Sequence, residues 1–183
     1  MARIRQGFNK MTNQQNENEI KYRLASAEDF PTLAEMYRLL DRAYRISGYT
    51  FPDVEHVGEK WLDTFRRTIG RFSIIYIAER HGKIIGFSTA RIKRVPEFLG
   101  GAMIGELKDL WIEPGVRRLG IGEILLRLAT EWCLAQEVDS IEAQYFVGNQ
   151  VSDRLLQNLG FKPELVQVRM MKGEYKQADE GSN

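Results

Sequence analysis

One segment near the middle of the chain, DLWIEPGVRRLGIG, constrains the fold more than any other. Its residue types predict a strand, a turn, a basic loop and then the start of a helix. The first N–H groups of a helix lack intrahelical partners and carry partial positive charge, so phosphate binds there readily. Gly120 and Gly122 have no Cβ and let phosphate oxygens approach the backbone, beside the charges of Arg117 and Arg118. We therefore predict a pyrophosphate cradle at the mouth of this helix.

The composition is that of one globular domain. The chain has 183 residues, of which 43% are hydrophobic, and this is enough for one well-buried core. Its 26 basic and 25 acidic residues leave a formal charge of +1, which argues against a dedicated nucleic-acid-binding protein. No apolar run reaches membrane-spanning length. We therefore expect neither a nucleic-acid partner nor a membrane partner.

The cysteine and histidine content argues against disulfide and metal sites. Cys133 is the only cysteine, so no intrachain disulfide forms; this fits a reducing compartment, and we expect a cytoplasmic protein. Cys133 lies in an apolar helical pattern, which favours a small buried side chain over a nucleophile. With His56 and His81 as its two histidines, the chain is poor in metal ligands, and no metal is predicted.

The polar ends of the chain are expected to lie outside the folded domain. Residues 1–19 are rich in Asn and Gln and have no apolar core, which favours a disordered N-terminal segment over a secretory signal. Residues 173–183 are similarly polar and are expected to form a flexible tail. One domain then spans residues 20–172.

Hydrophobic periodicity predicts the element order β-α-α-β-β-β-α-β-α-β, which is an α/β domain with a mixed sheet. The predicted strands cover residues 20–24, 72–78, 83–92, 104–112, 139–146 and 162–172. The first helix is capped by Ser26, unless Pro31 marks its real first turn. The second is capped by Asp53, the third begins at Gly120, and the fourth is capped by Asn149 and ends at Gly160.

The strand at 104–112 has a broken alternation. Leu107 falls on one parity, whereas Leu110 and Ile112 fall on the other. A β-bulge near Lys108-Asp109 brings all three to one face and frees backbone groups for a ligand. Ordinary irregularity of an edge strand explains the pattern equally well.

These residues resemble those of a known family. Arg117-x-x-Gly120-x-Gly122, after a strand and at the start of a helix, resembles the acetyl-CoA loop of the GNAT superfamily of N-acetyltransferases. The runs Asp-Leu-Trp-Ile-x-Pro and Ile-Gly-x-x-Leu-Leu make the match more specific than the glycines alone. A second segment resembles the closing helix of the family, and its matching residues are Asn149, Ser152, Leu155 and Gly160-Phe161.

The resemblance implies a single-domain GNAT-like fold over residues 20–172, with a mixed central sheet and helices on both faces. It implies an enzyme that moves an acetyl group from the cosubstrate acetyl-CoA directly to a primary amine of a small molecule or peptide. The pantetheine arm is expected along residues 110–112, beside the strand at 139–146. The residues that the resemblance assigns to cosubstrate binding are Leu110, Trp111, Ile112, Arg117, Arg118, Leu119, Gly120, Ile121, Gly122, Glu123, Asn149 and Ser152. Asn149 has an alternative explanation as a plain N-cap.

The resemblance also suggests catalytic groups. The backbone N–H of Leu110 is expected to stabilise the oxyanion of the attacked carbonyl. Glu106 is the candidate general base, and the alternative is a surface glutamate paired with Lys108. Asp109 is a weaker candidate, because carboxylates at strand ends often bind the neighbouring backbone.

One expected catalytic group is missing. Many members of the family protonate the departing thiolate with a tyrosine just after Leu155, and this chain has Leu156 there. A thiol with a pKa of about 8.5 can leave with help from water alone. Tyr145 is a substitute only if its ring points into the cleft.

The resemblance places the acceptor between the first two helices and the loop before the central strand. Acidic and aromatic side chains there suit a cationic amine, and they are Asp41, Tyr44, Tyr49, Phe51, Asp53, Glu55, Glu97 and Phe98. Two other functions stay open: a non-catalytic acyl-CoA binding or sensor module, and an unrelated phosphate-binding domain. Because dimers are frequent in the family, the resemblance also admits a homodimer.

Overall fold

The computed structural model describes residues 19–172, which contain five strands and four α-helices. The strands are β1 (Lys21–Leu24), β2 (Ser73–Arg80), β3 (Lys83–Arg94), β4 (Met103–Ile112) and β5 (Ser140–Ala143). The helices are α1 (Phe30–Ile46), α2 (Val57–Phe65), α3 (Ile121–Leu134) and α4 (Gln150–Asn158). The predictions of a disordered start and a flexible tail concern residues 1–18 and 173–183, which lie outside the described residues.

The strands form one mixed sheet, as predicted, and their order in the sheet is β1-β2-β3-β4-β5. The first four strands pair antiparallel with their sequence neighbours, whereas β5 pairs parallel to β4 after the crossover through α3. β2 and β3 form the predicted hairpin. Its turn residues His81 and Gly82 have φ values of 53° and 69°, and this left-handed pair is what a two-residue hairpin turn requires.

Helices cover both faces of the sheet, which confirms that prediction. On one face, α1 and α2 pack Leu33, Trp61 and Phe65 against Ile77 and Phe87 of the sheet. On the other face, α3 and α4 pack against the opposite sides of the same strands, through Leu126, Ala129, Cys133, Leu156, Ile74 and Leu107. Cys133 is fully buried, and burial raises the pKa of its thiol to about 11, as expected of a structural rather than a reactive cysteine.

The predicted bulge is present in β4. Ser88 of β3 faces Leu110, and Ala90 faces Leu107, so Thr89 alone stands opposite Lys108 and Asp109. The extra residue turns Leu107, Leu110 and Ile112 to the side of α3, where all three contact its core residues. The bulge also leaves Glu106, Asp109 and Trp111 on the side of α1 and α2.

The start of α1 follows the second of the two sequence alternatives. A short 3₁₀ turn spans Ala27–Asp29, and α1 begins at Phe30 with Pro31 in its first turn. The N–H of Ser26 donates to Oδ2 of Asp29 at 2.7 Å, so this acidic side chain holds the entry to the turn. Proline fits because the N–H groups of a first helical turn have no intrahelical acceptor.

Three boundary predictions are wrong. Asp53 does not cap α2, because its carboxylate binds Arg45 at 2.9 Å and the helix starts only after His56, whose φ is 54°. The strand predicted over 139–146 is shorter, since the chain leaves the sheet after Ala143. Residues 162–172 form no strand: Val168 there is 87% exposed, and apolar alternation favours a strand only where the side chains pack against neighbouring elements.

Two absences concern residues 19–172 only. No helix in this range is both long enough and apolar enough to cross a bilayer. No group of three or more His, Cys, Asp or Glu side chains in the same range is arranged to hold a metal ion.

Candidate active site

The loop before α3 forms a backbone concavity at the start of the helix. Arg118 and Gly120 have φ values of 65° and 78°, so two residues of this short loop are left-handed. The N–H of Ile124 donates to the Gly120 carbonyl at 3.2 Å, which places the earlier N–H groups ahead of the first helical hydrogen bond. Turns that contain left-handed residues can direct neighbouring N–H groups towards one anion.

Gly122 places this helix start directly on β4 and α4. A Cβ at this position would lie 3.4 Å from Cδ2 of Leu110 and 3.7 Å from Cδ2 of Leu155. The first turn of α3 therefore sits close against the strand that leads into the loop. The position predicted for the cradle is therefore the junction of β4, α3 and α4.

The side chain of Arg117 is held against the end of β4. Its Nε donates to the Ile112 carbonyl at 2.9 Å, and its guanidinium carbon lies 5.0 Å from the centre of the Trp111 ring. The charge is thereby fixed beside the end of β4 and the loop. Leu119, in the same loop, is 59% exposed and leaves the concavity open to solvent.

The sheet opens between β4 and β5 at the bulge. The parallel pairing of these strands ends at Leu107 and Ala143, so β4 continues without β5 from Lys108 onward. The N–H of Glu113 donates to a β3 carbonyl at 2.9 Å. Because backbone groups alternate along a strand, the N–H groups of Leu110 and Ile112 point the other way, into this opening. A strand-like ligand therefore finds free backbone groups that lead to the cradle.

The start of α4 borders the same opening. Oδ1 of Asn149 accepts the N–H of Ser152 at 3.1 Å, so the N-cap interpretation is confirmed. Leu156 is buried in the core beneath α4, where it contributes packing and no proton. The hydroxyl of Tyr145 donates to Oδ1 of Asp153 at 2.6 Å, and this hydrogen bond raises the pKa of the tyrosine.

Glu106 is a buried carboxylate surrounded by cations. It accepts a short hydrogen bond from Arg91, and its Oε1 lies 3.4 Å from Nζ of Lys93 and 3.8 Å from Nζ of Lys108. Burial alone raises the pKa of Glu106, but the hydrogen bond from Arg91 and the three cationic charges outweigh it, so the net pKa is lowered. Lys93 also binds Glu142 of β5. The carboxylate is thus ionised and fixed on the face of α1 and α2.

Asp109 differs from Glu106 in its surroundings. It is 7% exposed, and one of its oxygens, Oδ2, accepts hydrogen bonds from Nε1 of Trp61 at 3.1 Å and Oγ1 of Thr89 at 2.8 Å. Burial raises its pKa, and the two hydrogen bonds only partly offset this. The sequence analysis missed both donors. Trp61 lies 48 positions away in the chain, and no local pattern pairs it with this carboxylate.

The acceptor residues predicted from the resemblance are brought together only in part. Tyr44 and Tyr49 pack against Phe146, which the sequence analysis missed, with the ring centres of Tyr44 and Phe146 5.5 Å apart. Phe51 packs against Tyr49. Asp41 and Asp53 are both paired with Arg45 of α1. Glu55, Glu97 and Phe98 stay at the surface: Glu97 pairs with Arg94, and Phe98 is 84% exposed.

A comparison with protein families shows which family the chain belongs to. The sequence matches the family model described as the acetyltransferase (GNAT) family over residues 33–161. The chain belongs to the acetyltransferase (GNAT) family. This range contains the bulged strand, the cradle and α4, and membership supports acyltransferase activity. No curated protein matches the sequence.

Solved structures have the same fold. A tetramutant of the BH1408 protein from Bacillus halodurans has a TM-score of 0.69 at 18% identity, with 82% of this chain and 99% of that chain covered. A predicted acetyltransferase from Clostridium acetobutylicum, solved with acetyl-CoA, has a TM-score of 0.69 at 16% identity over 87% and 100% of the two chains. An aminoglycoside acetyltransferase from an uncultured soil metagenomic sample, in complex with sisomicin, reaches 0.61 at 14% identity over 83% and 95%. The GNAT-like fold is therefore confirmed.

Proposed function

We propose that this protein transfers an acetyl group from acetyl-CoA directly to a primary amine of a small molecule or peptide. The observation that carries the proposal is the opening between β4 and β5, which begins at the bulge and leads into the cradle at α3. Such an opening suits an extended thiol arm that ends in a diphosphate. Family membership and the neighbour solved with acetyl-CoA support the same cosubstrate.

The cosubstrate is bound mainly by backbone groups in this proposal. N–H groups of residues 118–123 hold the pyrophosphate, aided by the helix start and the left-handed residues Arg118 and Gly120. The pantetheine arm lies along residues 110–112 as an added strand. Asn149 and Ser152 border the arm from α4. A Cβ at position 122 would be in van der Waals contact with Leu110 and Leu155, so this helix start lies close against the strand and α4.

The chemistry needs an oxyanion donor and a path for protons. The amine lone pair attacks the thioester carbonyl carbon, and the N–H of Leu110, pointing into the opening, stabilises the oxygen that becomes negative. A lysine-like ammonium has a pKa of about 10.4, so protons must be removed from it. One of these protons passes through water to Glu106, because this carboxylate is ionised and fixed near the bulge.

The leaving thiolate has no tyrosine donor in this proposal. Leu156 is buried, and the hydroxyl of Tyr145 is committed to Asp153. The pKa of a thiol is about 8.5, so protonation by water suffices.

The acceptor enters on the face of α1 and α2. The aromatic cluster of Tyr44, Tyr49, Phe51 and Phe146 borders the loops on this side, and aromatic faces attract cationic amines. The aminoglycoside acetyltransferase among the structural neighbours is consistent with an amine-bearing acceptor.

The single buried cysteine, Cys133, is compatible with a reducing cytoplasmic compartment.

Two measurements on the purified full-length chain test the proposal. Calorimetry with CoA should show saturable binding, and thiol release from acetyl-CoA should depend on an added amine in a panel of amino sugars, polyamines and peptides. Binding of ATP or NAD with no heat from CoA would refute the cosubstrate.

The absent tyrosine favours one alternative, a non-catalytic acyl-CoA sensor. The same panel separates the two functions. Tight CoA binding without amine-dependent thiol release supports the sensor, whereas turnover excludes it.

A further inference from the structure

Asp109 is a buried carboxylate that forms no ion pair within residues 19–172, although the nearby charge of Lys108 lowers its pKa in part. The cations of its sheet face, Arg91, Lys93 and Lys108, form their ion pairs with Glu106. Among residues 19–172, the partners of the Asp109 side chain are Trp61 and Thr89, both neutral. A buried charge without a counter-ion is costly, so such a group tends to bind a proton or a cation.

The carboxylate is also held in place rather than loosely buried. Thr89 Oγ1 donates to Oδ2 of Asp109 and accepts the backbone N–H of Asp109 at 3.1 Å, which closes a ring across the bulge. Trp61 stacks on Tyr37 with ring centres 4.5 Å apart, which fixes the indole N–H on the same oxygen. The other oxygen, Oδ1, accepts neither of these hydrogen bonds. The arrangement therefore fixes the orientation of the carboxylate through Oδ2.

The position of Asp109 relates it to the reaction. It immediately precedes Leu110, whose N–H is the oxyanion donor of the proposed function, and both lie at the bulge where the sheet opens. An amine that reaches a carbonyl held at Leu110 therefore passes beside this side chain. Glu106 lies on the same face, and its charge acts on Asp109. Two carboxylates with different surroundings thus flank the point of attack.

We propose that Asp109 is the catalytic residue that binds the acceptor's ammonium group and removes its first proton. This inference rests on the proposed acetyl transfer. An ammonium, R–NH3+, gives one proton to Asp109, and the neutral amine then forms the C–N bond. As the C–S bond breaks, the second proton leaves the nitrogen through water to Glu106, and the thiolate takes a proton from solvent. Asp109 and Glu106 return their protons to water, so one amide, one thiol and one net proton result.

The two carboxylates suit these two steps. A primary ammonium is a weak acid and needs the stronger base, which is the buried carboxylate whose pKa burial raises. The nitrogen of the tetrahedral adduct is more acidic, so an ionised carboxylate with a lowered pKa can accept its proton. This division explains why the same face carries one ion-paired and one unpaired carboxylate.

The first experiment compares Asp109→Asn with Glu106→Gln, using the amine that releases most thiol from acetyl-CoA. Asparagine keeps an oxygen for Trp61 and Thr89. We expect kcat/KM for the amine to fall about 100-fold or more in Asp109→Asn, with unchanged CoA affinity by calorimetry. A kcat/KM of Asp109→Asn within about twofold of the wild-type value would overturn the proposal. If the wild-type protein itself does not bind CoA, the proposed function is refuted instead.

The second experiment uses the pH profile, because a structural role would not move it. Thr89→Val removes a hydrogen bond that lowers the pKa of Asp109, so the acid limb of kcat/KM should move to higher pH; Thr89→Ser keeps the hydroxyl and should leave it in place. The ionisable side chains that interact electrostatically with Asp109 are Tyr37 and Tyr44 of α1 and Glu106 and Lys108 of β4. An unmoved limb in Thr89→Val contradicts the assignment.

A third measurement needs neither substrate nor turnover. The indole N–H of Trp61 donates to Asp109, so its NMR resonance in the free protein should shift with pH as the carboxylate titrates. Trp61→Phe identifies the resonance among the three tryptophans. The shift should vanish in Asp109→Asn. If that variant fails to fold, the pH profiles of the two Thr89 variants and the Trp61 resonance of the wild type still test the proposal. A Trp61 resonance that does not shift with pH would contradict it.

Discussion

At the scale of single residues, backbone conformation matters more than side-chain chemistry in the cradle. Arg118 adopts a left-handed φ although it has a side chain, which costs about 1–2 kcal/mol. Gly120 adopts the same region without that cost, and its missing Cβ faces open space. The loop therefore holds strain that only the surrounding structure maintains, and it does so where N–H groups must converge.

Gly120→Asp should abolish tight CoA binding, because it places a carboxylate where the diphosphate is expected. Gly120→Ala is the matched control, since both variants carry the strain of a left-handed Cβ and only one adds charge. We expect CoA affinity of the Asp variant to be at least about tenfold below that of the Ala variant, a difference of about 1.4 kcal/mol. Equal affinities in two folded variants, measured by calorimetry, would show that the phosphates bind elsewhere.

Glu106→Gln should slow acetyl transfer mainly at low pH. With the carboxylate gone, the second proton leaves to water or hydroxide, and that route becomes easier as pH rises. We expect a defect of about tenfold or more near pH 6 that shrinks towards pH 9. Thiol release across this range checks it. Identical rates for the two proteins at every pH would remove Glu106 from the mechanism.

At the scale of elements, β4 organises the site through a single extra residue. The bulge opposite Thr89 sends the apolar side chains of β4 towards α3 and its carboxylates towards α1 and α2. The same irregularity ends the pairing with β5 and frees the backbone of Leu110. One local feature of the strand thus separates core from chemistry and creates the opening for the cosubstrate.

Asn149 tests whether α4 only borders the opening or also contacts the arm. Asn149→Ala should lower the free energy of unfolding by about 1 kcal/mol, because the cap on Ser152 N–H is lost. Asn149→Ser keeps a capping oxygen and should retain most of the stability in urea unfolding. If the amide also binds the arm, both variants should lose CoA affinity; a loss confined to the Ala variant would leave Asn149 a cap alone.

At the scale of the whole molecule, one charged cluster ties the N-terminal strand to the domain. Arg23 of β1 binds Asp29 at 2.7 Å and Glu79 of β2 at 2.8 Å. The hydrogen bond from Arg23 is the main reason that the pKa of Asp29 is lowered to about 2. These contacts connect β1, the entry to α1 and the middle of the sheet.

This cluster should make stability depend on pH. The pKa of Asp29 is lower in the folded protein than in the unfolded chain, so its contribution is complete above about pH 4 and disappears as pH falls towards 2. Arg23 is 40% exposed and its charge is screened, so we expect about 1 kcal/mol. Urea unfolding at about pH 5 and pH 2.5 should therefore show a smaller decrease for Asp29→Asn than for wild type. Asp63→Asn removes an exposed ion pair, and its free energy of unfolding should decrease between these pH values as much as that of wild type. An equal decrease in Asp29→Asn would exclude a role of Asp29 in the pH dependence.

Local patterns in the sequence predicted the features that depend on neighbouring residues. The hairpin turn at His81-Gly82, the cap at Asn149 and the broken alternation around Leu107 are each decided within a few positions. The family resemblance added the fold, because the loop before α3 combines turn, glycine and helix signals in a fixed order. The strand expected over 162–172 failed for the converse reason: whether an alternating segment forms a strand depends on packing against distant elements, which a local pattern does not specify.

The electrostatics of the candidate site could not be predicted in this way. Whether a carboxylate is ion-paired or isolated depends on side chains that the fold brings together from distant parts of the chain, as Arg91 and Lys93 are brought to Glu106. Trp61 and Thr89 reach Asp109 from another helix and another strand. The sequence of this protein therefore specified its elements and its phosphate loop through local backbone preferences. Only tertiary packing gave its two carboxylates different pKa shifts, because charge and burial act through space and not along the chain.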